Sequence, residues 1–291
     1  MSKFLKALDQ AQRDRALIEH ARARSMPHAL TPPGEQTPPP PISSAVSPEA
    51  EPIVVDGVAP HLVSLVAPTS FEAEQYRTLR HIVEQAHRSA DVRILAVSAP
   101  ATGDGKTTTA INLAGALAQA PDAEVLLMDA DLRHPAVATG LGLGHANLPG
   151  LVEATLDPAL SLGHVVRRLP PFNLSVLAAG RPPTSPYELL KSPRLAELLE
   201  QARREYDYVV VDTPPLVALP DCRVLANHVD AFLLVVTAHK TPRRLLEAAL
   251  GAVDPARILG LVFNGDDDSP TAHYGRWFRN GHGRNGAPGR G

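Results

Sequence analysis

The run Ser98-Ala99-Pro100-Ala101-Thr102-Gly103-Asp104-Gly105-Lys106-Thr107-Thr108 constrains this chain more than any other feature. It follows the apolar segment Val92–Ser98 directly and opens a helical pattern over Lys106–Gln119. Strand, glycine-rich loop and helix in that order form a phosphate cradle. The glycines let successive backbone N–H groups turn inward, the helix N-terminus adds partial positive charge, and a lysine reaches the terminal phosphates. Gly103, Asp104, Gly105, Lys106, Thr107 and Thr108 are therefore the expected nucleotide contacts, with the Thr107 hydroxyl offered to Mg²⁺. Pro100 stands where the usual pattern has its first glycine, which removes one N–H and leaves the later amides in place.

Such a loop needs a sheet whose strand ends face it. Strand-like runs recur at Val92–Ser98, Glu124–Asp129, Leu174–Leu177, Tyr208–Asp212, Ala231–Thr237 and Ile258–Asn264, near-continuously apolar as parallel strands covered on both faces require. Helical patterns lie between most of them, at Lys106–Gln119, Glu188–Glu205, Asp221–Asn227 and Pro242–Val253. The pattern predicts an α/β domain with a doubly wound, mainly parallel sheet, which binds ligands beyond the carboxyl ends of its strands. Two of those ends carry acids: Asp129 and Asp131 after the second strand, and Asp212 after the strand at Tyr208. Asp212 reads as the acid that holds Mg²⁺ directly or through water. Asp129 and Asp131, two residues apart, can address the metal and a substrate hydroxyl.

The flanks are different in kind. Residues 1–24 place Phe4, Leu8, Ala11 and Ile18 on one face of a charged segment, which predicts an amphipathic helix. Residues 25–66 form a linker in which nine prolines crowd between Pro27 and Pro52. The globular part is expected over 67–267, opened by a capping signal at Thr69, Ser70 and Glu72 and a helix over Phe71–Arg88. Residues 268–291 are Gly/Arg-rich, lack a period and read as a disordered tail, like the linker. A net charge of −3 exerts no global pull toward nucleic acid, and the single cysteine, Cys222, excludes an internal disulfide framework and reads as a buried thiol. No apolar run has the length to cross a bilayer and no uninterrupted apolar segment marks a secretion signal, so the expected location is cytoplasmic.

Together these residues resemble the bacterial tyrosine kinase family, P-loop autokinases that control capsule and exopolysaccharide assembly. The resemblance spans roughly residues 69–268. It is carried by Gly103 to Thr108, by Leu127-Met128-Asp129-Ala130-Asp131-Leu132-Arg133-His134-Pro135, by Gly150-Leu151, by Leu174 to Gly180 with Ser185 to Leu190, and by Tyr206 to Pro215. It implies a P-loop NTPase fold of the deviant Walker, ParA/MinD-like type, with ATP and Mg²⁺ as cofactors. Lys106, Asp129, Asp131 and Asp212 would be catalytic, and Thr107, Asp129 and Asp212 would hold the metal. Arg133 and Asn264 would lie on the nucleotide side. Glu74, Arg77 and Arg80 resemble the family's Glu-x-x-Arg-x-x-Arg segment, which implies a ring-shaped homo-oligomer. Family tails carry several acceptor tyrosines; here Tyr274 alone stands in the tail. Family kinases without a membrane span work with a membrane-anchored polysaccharide chain-length regulator, which implies a place at the inner face of the plasma membrane through that partner.

One alternative is a non-kinase, nucleotide-gated ATPase scaffold of the same polysaccharide machinery, which the sparse tail favours. A partitioning ATPase fits less well, because the position of its signature loop lysine is Ala101. The glycines of Gly140-Leu141-Gly142-Leu143-Gly144 read as a loop rather than a dinucleotide fingerprint, and the scattered histidines hold no zinc-site spacing.

Overall fold

The computed structural model describes residues 57–143 and 149–265. The segment 1–24, most of the proline-rich stretch and the tail with Tyr274 lie outside the described residues. In chain order the elements are α1 (Val63–Val66), α2 (Phe71–Ala90), β1 (Ile94–Ser98), α3 (Lys106–Leu117), β2 (Val125–Asp129), α4 (Val137–Gly140), α5 (Leu151–Leu156), α6 (Leu162–Val165), β3 (Arg167–Arg168) and β4 (Leu174–Leu177). They continue with α7 (Pro186–Leu190), α8 (Pro193–Glu205), β5 (Tyr208–Asp212), α9 (Asp221–Leu225), β6 (Ala231–Thr237), α10 (Arg243–Leu250), a 3₁₀ turn (Pro255–Arg257) and β7 (Ile258–Asn264).

The strands form one seven-stranded sheet in the order β3-β4-β2-β5-β1-β6-β7. All pairings are parallel except that of the short edge strand β3 with β4. Alternate residues of each central strand feed opposite layers. Ile94, Ala96, Leu126, Met128, Val209, Val211 and Phe232 pack beneath α5, α7, α8 and α9. Leu95, Val97, Leu127, Val210, Leu233 and Val235 pack against the side chains of α1, α2 and α3. Each such side chain contributes roughly 1.5–3 kcal/mol of burial, which explains why the strands read as unbroken apolar runs. The register sets Asp129 directly beside Asp212 across β2 and β5, and Val97 beside Asp212 across β1 and β5, so the acids and the loop after β1 share one sheet edge.

Two expectations are corrected. The single helix read over Glu188–Glu205 is two helices, α7 and α8, because Pro193 has no N–H to give and drives Ser192 into extended backbone at φ −60° and ψ 135°. Ser192 then caps α8, its hydroxyl accepting from the Arg194 N–H at 3.2 Å. The linker also ends earlier than residue 66. The Ala59 N–H donates to the Gly140 carbonyl at 3.0 Å, and Leu62 and Leu65 are buried in the layer of α3. Gly140 itself closes the short helix α4 rather than lying in a loop. Elsewhere the boundaries follow the reading closely: α2 starts behind Ser70, whose hydroxyl accepts from the Ala73 N–H at 3.1 Å.

Asn112 joins residues 57–66 to the domain. Its buried side chain accepts from the Ser64 N–H at 2.9 Å and donates to the carbonyls of His61 and Thr108 at 3.2 and 3.0 Å. Asn112→Ala leaves the Ser64 N–H and the His61 carbonyl without this partner and is expected to destabilise the domain by about 1–3 kcal/mol in denaturant titration, with proteolysis near His61 accelerated; an unchanged midpoint contradicts this docking.

Candidate functional site

The phosphate-type loop is shaped by Gly103 and Gly105, at φ 88° and 89°, a conformation that L side chains rarely adopt. A Cβ at Gly105 would also collide with the Asn264 side-chain amide. Gly105 is the N-cap of α3 and brings no side-chain cap, so the first amides of a long helix are left to an anion. Asp104 holds the loop from below. Its buried carboxylate accepts from the Ala101 N–H at 3.2 Å, and from the hydroxyls of Thr237 and Thr241 at 3.1 and 2.6 Å. Asn264 donates to the Asp104 carbonyl at 3.0 Å. The sequence reading grouped Asp104 and Asn264 with the nucleotide contacts. In the structure their side chains brace the loop against β6 and β7, since a buried carboxylate must find donors and the nearest are protein hydroxyls.

Lys106, 8% exposed, is the centre of the site. Its ammonium lies 2.7 Å from Asp131 Oδ2 and 3.4 Å from Asp212 Oδ1, and it donates to the Thr107 hydroxyl at 3.3 Å. Thr107 in turn donates to Asp212 Oδ2 at 2.6 Å. Burial works against the lysine's charge, yet Asp212 and Asp131 together raise its pKa above the ordinary value. Asp212 is fully buried, and burial pushes it up to about 6 against the pull of Lys106 and Thr107. Asp129 is pushed up to about 7 by burial and then by the Asp212 charge. Three acids face one ammonium here, and that excess of buried negative charge suits a divalent cation.

The three acids differ in their partners. Asp129 spends both oxygens on backbone: Oδ1 accepts from the Asp131 N–H at 3.2 Å, and Oδ2 from the Ala136 and Val137 N–H groups, each at 3.1 Å. These bonds organise the turn after β2 and hold Asp129 at the sheet edge beside Asp212. Thr107 and Asp212 remain as an adjacent hydroxyl and carboxylate, and among the described residues no group of three acid, histidine or cysteine side chains could hold a metal alone. Magnesium usually retains waters and completes its shell with phosphate oxygens, so this small donor set fits it. Thr108 follows in α3, half-buried, its carbonyl taken by Asn112.

Arg133 has a partner within the chain. Its Nε and Nη2 donate to Asp221 at 2.7 and 3.2 Å, a two-pronged pair with a fully buried carboxylate. From sequence Asp221 reads as a helix start; it is also the one acid in the mainly apolar stretch 213–229, the kind of signal that marks a buried ion pair. On α2, Glu74 pairs with Arg77, which also donates to the Pro68 carbonyl at 2.7 Å. Arg80 pairs with Glu84 at 2.6 Å and donates to the Ala116 carbonyl at 3.0 Å, near the C-terminal end of α3. All three thus have partners within the chain and lie at the opposite end of α3 from the loop. Cys222 is buried, its thiol pushed up to about 11 by burial and donating to the Pro214 carbonyl at 2.9 Å.

The raised acids give the pH profile a sign. Asp129 ordinarily ionises near 3.8 but at about 7 in the fold, so the native state keeps a proton that the unfolded chain has released. In buffer without nucleotide or divalent metal, the contribution of Asp129 is complete below its ordinary value and is lost as pH rises through the folded one. Relative to Asp129→Asn, the unfolding free energy of the wild-type chain is expected to fall over that window in denaturant titrations, and a rise in that difference would contradict the assignment.

Residues 92–241 match a family described as an AAA domain. The chain is 36% identical over 217 residues to the tyrosine-protein kinase YwqD of Bacillus subtilis (strain 168), covering 74% of this chain and 90% of that one. It is 32% identical to the tyrosine-protein kinase CpsD of Streptococcus agalactiae serotype III, covering 63% of this chain and 78% of that protein. With the tyrosine-protein kinase ptk of Acinetobacter johnsonii it shares 34% identity over 69% of this chain, which spans 27% of that longer protein. Among solved structures, the kinase domain of Escherichia coli tyrosine kinase ETK superposes with a TM-score of 0.68 at 27% identity, covering 75% of this chain and 84% of that domain. The BceF tyrosine kinase domain gives 0.63 at 30% identity, covering 70% and 81%.

Proposed function

Because the chain belongs to the bacterial tyrosine-protein kinase family, we propose that its own residues carry out phosphoryl transfer from ATP·Mg²⁺ to tyrosine, Tyr274 included, and that this autophosphorylation regulates exopolysaccharide or capsule polymerisation and export. The observation that carries the reading is the Lys106 ammonium held between Asp131 and Asp212 at the head of α3. Lys106 and the first amides of α3 neutralise charge on the transferring phosphoryl group. Thr107 and Asp212 would hold Mg²⁺, which would supply neutralisation of phosphate charge. Asp131 accepts the tyrosine proton as the phenolic oxygen bonds to the γ-phosphorus, the bond to the bridging oxygen breaks, and ADP leaves.

Tyr274 is favoured as acceptor by elimination. Tyr76, Tyr187, Tyr206 and Tyr208 are all half-buried in the fold, and burial raises the pKa of Tyr76, Tyr206 and Tyr208. The tail around Tyr274 carries Arg276, Arg279, Arg284 and Arg290 and no acid after Asp268, a charge suited to a nucleotide site. Among the described residues no helix is long and apolar enough to cross a membrane. From the family relationship we assign recruitment to a membrane-anchored polysaccharide regulator. Glu74 and Arg77, both exposed on α2, are the proposed contacts of a homo-oligomeric ring, with Arg80 bracing them.

Incubating the purified full chain with ATP·Mg²⁺ and mapping phosphotyrosine tests this. Lys106→Met is expected to abolish labelling, Tyr274→Phe to remove the label, and Asp131→Asn to slow it by about 10²- to 10⁴-fold. Label that persists in Tyr274→Phe overturns the acceptor assignment. Hydrolysis of ATP with no phosphotyrosine selects the scaffold reading instead.

A further inference from the structure

Asp221 is the described residue that the chemistry above leaves unexplained. It begins α9, is fully buried, and holds Arg133 through two parallel hydrogen bonds at 2.7 and 3.2 Å. Burying a carboxylate costs free energy, and a buried or half-buried ion pair adds little stability over a well-packed apolar pair, so its value lies in what it fixes in place. Arg133 ends the turn that begins at Asp129. That turn is already pinned at its base, where Asp129 accepts from the N–H groups of Asp131, Ala136 and Val137, and at its crest, where Asp131 Oδ1 accepts from the His134 N–H at 3.1 Å. The other oxygen of Asp131 lies 2.7 Å from Lys106. The turn therefore spans two anchors, the P-loop lysine through Asp131 and α9 through Arg133. A planar guanidinium gripped by both carboxylate oxygens fixes direction as well as distance, which a single contact does not.

We propose that Asp221 is a positioning residue for phosphoryl transfer: by gripping Arg133 it sets the Asp129–Arg133 turn, and with it the placement of Asp131 against Lys106. The effect on turnover rests on the kinase reading above; the effect on the turn does not. Asp221→Asn keeps the shape and removes the charge, Arg133→Lys keeps the charge and removes the fork, and Arg133→Ala removes both. A misplacement of the proton acceptor by about 1 Å is enough to lower turnover by ~10- to 100-fold, so Asp221→Asn and Arg133→Ala are each expected to reduce kcat on that scale while KM for ATP moves by less than about threefold.

The test combines kinetics with amide hydrogen exchange on the full chain. The double variant Asp221→Asn/Arg133→Ala is expected to be no slower than the worse single variant, because both break one linkage. Arg133→Lys is expected to fall between wild type and Arg133→Ala. The N–H groups of His134, Ala136 and Val137 are expected to exchange faster in each variant, while those of β1 and β5 keep wild-type protection. Losses that multiply in the double variant, a defect confined to KM, or unchanged exchange in the turn overturn the proposal. If the wild-type chain labels no tyrosine, the kinase reading fails by itself, and exchange in the turn still decides the role of Asp221.

Discussion

The Lys106 ammonium lies 2.7 Å from one carboxylate and 3.4 Å from another, with a third acid end to end with the second across a strand pair. Parallel strands with apolar residues on both faces deliver their polar ends together, and here β2 and β5 deliver Asp129 and Asp212 to the same level of the sheet. Left alone, such acids would repel and hold protons, as the raised values of Asp129 and Asp212 still record. One buried cation offsets only part of that charge. The remainder is an electrostatic demand that, under the proposed function, a divalent cation would meet.

The surrounding elements keep that charge where chemistry can use it. β6 and β7 grip the P-loop through Asp104 and Asn264, and α9 grips the turn after β2 through Asp221. Both grips are made by fully or nearly buried acids, 3% exposed for Asp104 and 0% for Asp221. The two layers beneath, one of α1 to α3 and one of α5 and α7 to α9, make the sheet stiff enough for sub-ångström placement to matter. The α2 charges stand apart from this arrangement. They are tied to one another and to the far end of α3, away from the phosphate end.

Much of this was legible before any coordinates. The loop Gly103 to Thr108 is read from contiguous residues, and the acids at Asp129, Asp131 and Asp212 are read from where apolar runs stop. What sequence could not show is pairing over distance. Asp104 finds Thr237 and Thr241 more than a hundred residues away, and Arg133 finds Asp221 88 residues further along the chain, so neither pairing has a local sequence signal. The backbone amides that donate to Asp129 belong to a turn whose path no periodicity encodes. The docked stretch 57–66 was hidden for a related reason: its helix has four residues, too few for a period to register. The break before α8 was different, since Pro193 was visible and its effect on Ser192 is a local rule that a longer helical pattern overrode.

Isothermal titration of a non-hydrolysable ATP analogue, with and without Mg²⁺, tests the central claim most directly. The account expects saturable binding that strengthens with Mg²⁺ in the wild-type chain, is lost in Lys106→Met, and loses its Mg²⁺ dependence in Asp212→Asn. No heat of binding in the wild type, or Mg²⁺ dependence untouched by Asp212→Asn, would contradict a site organised around that ammonium and its acids.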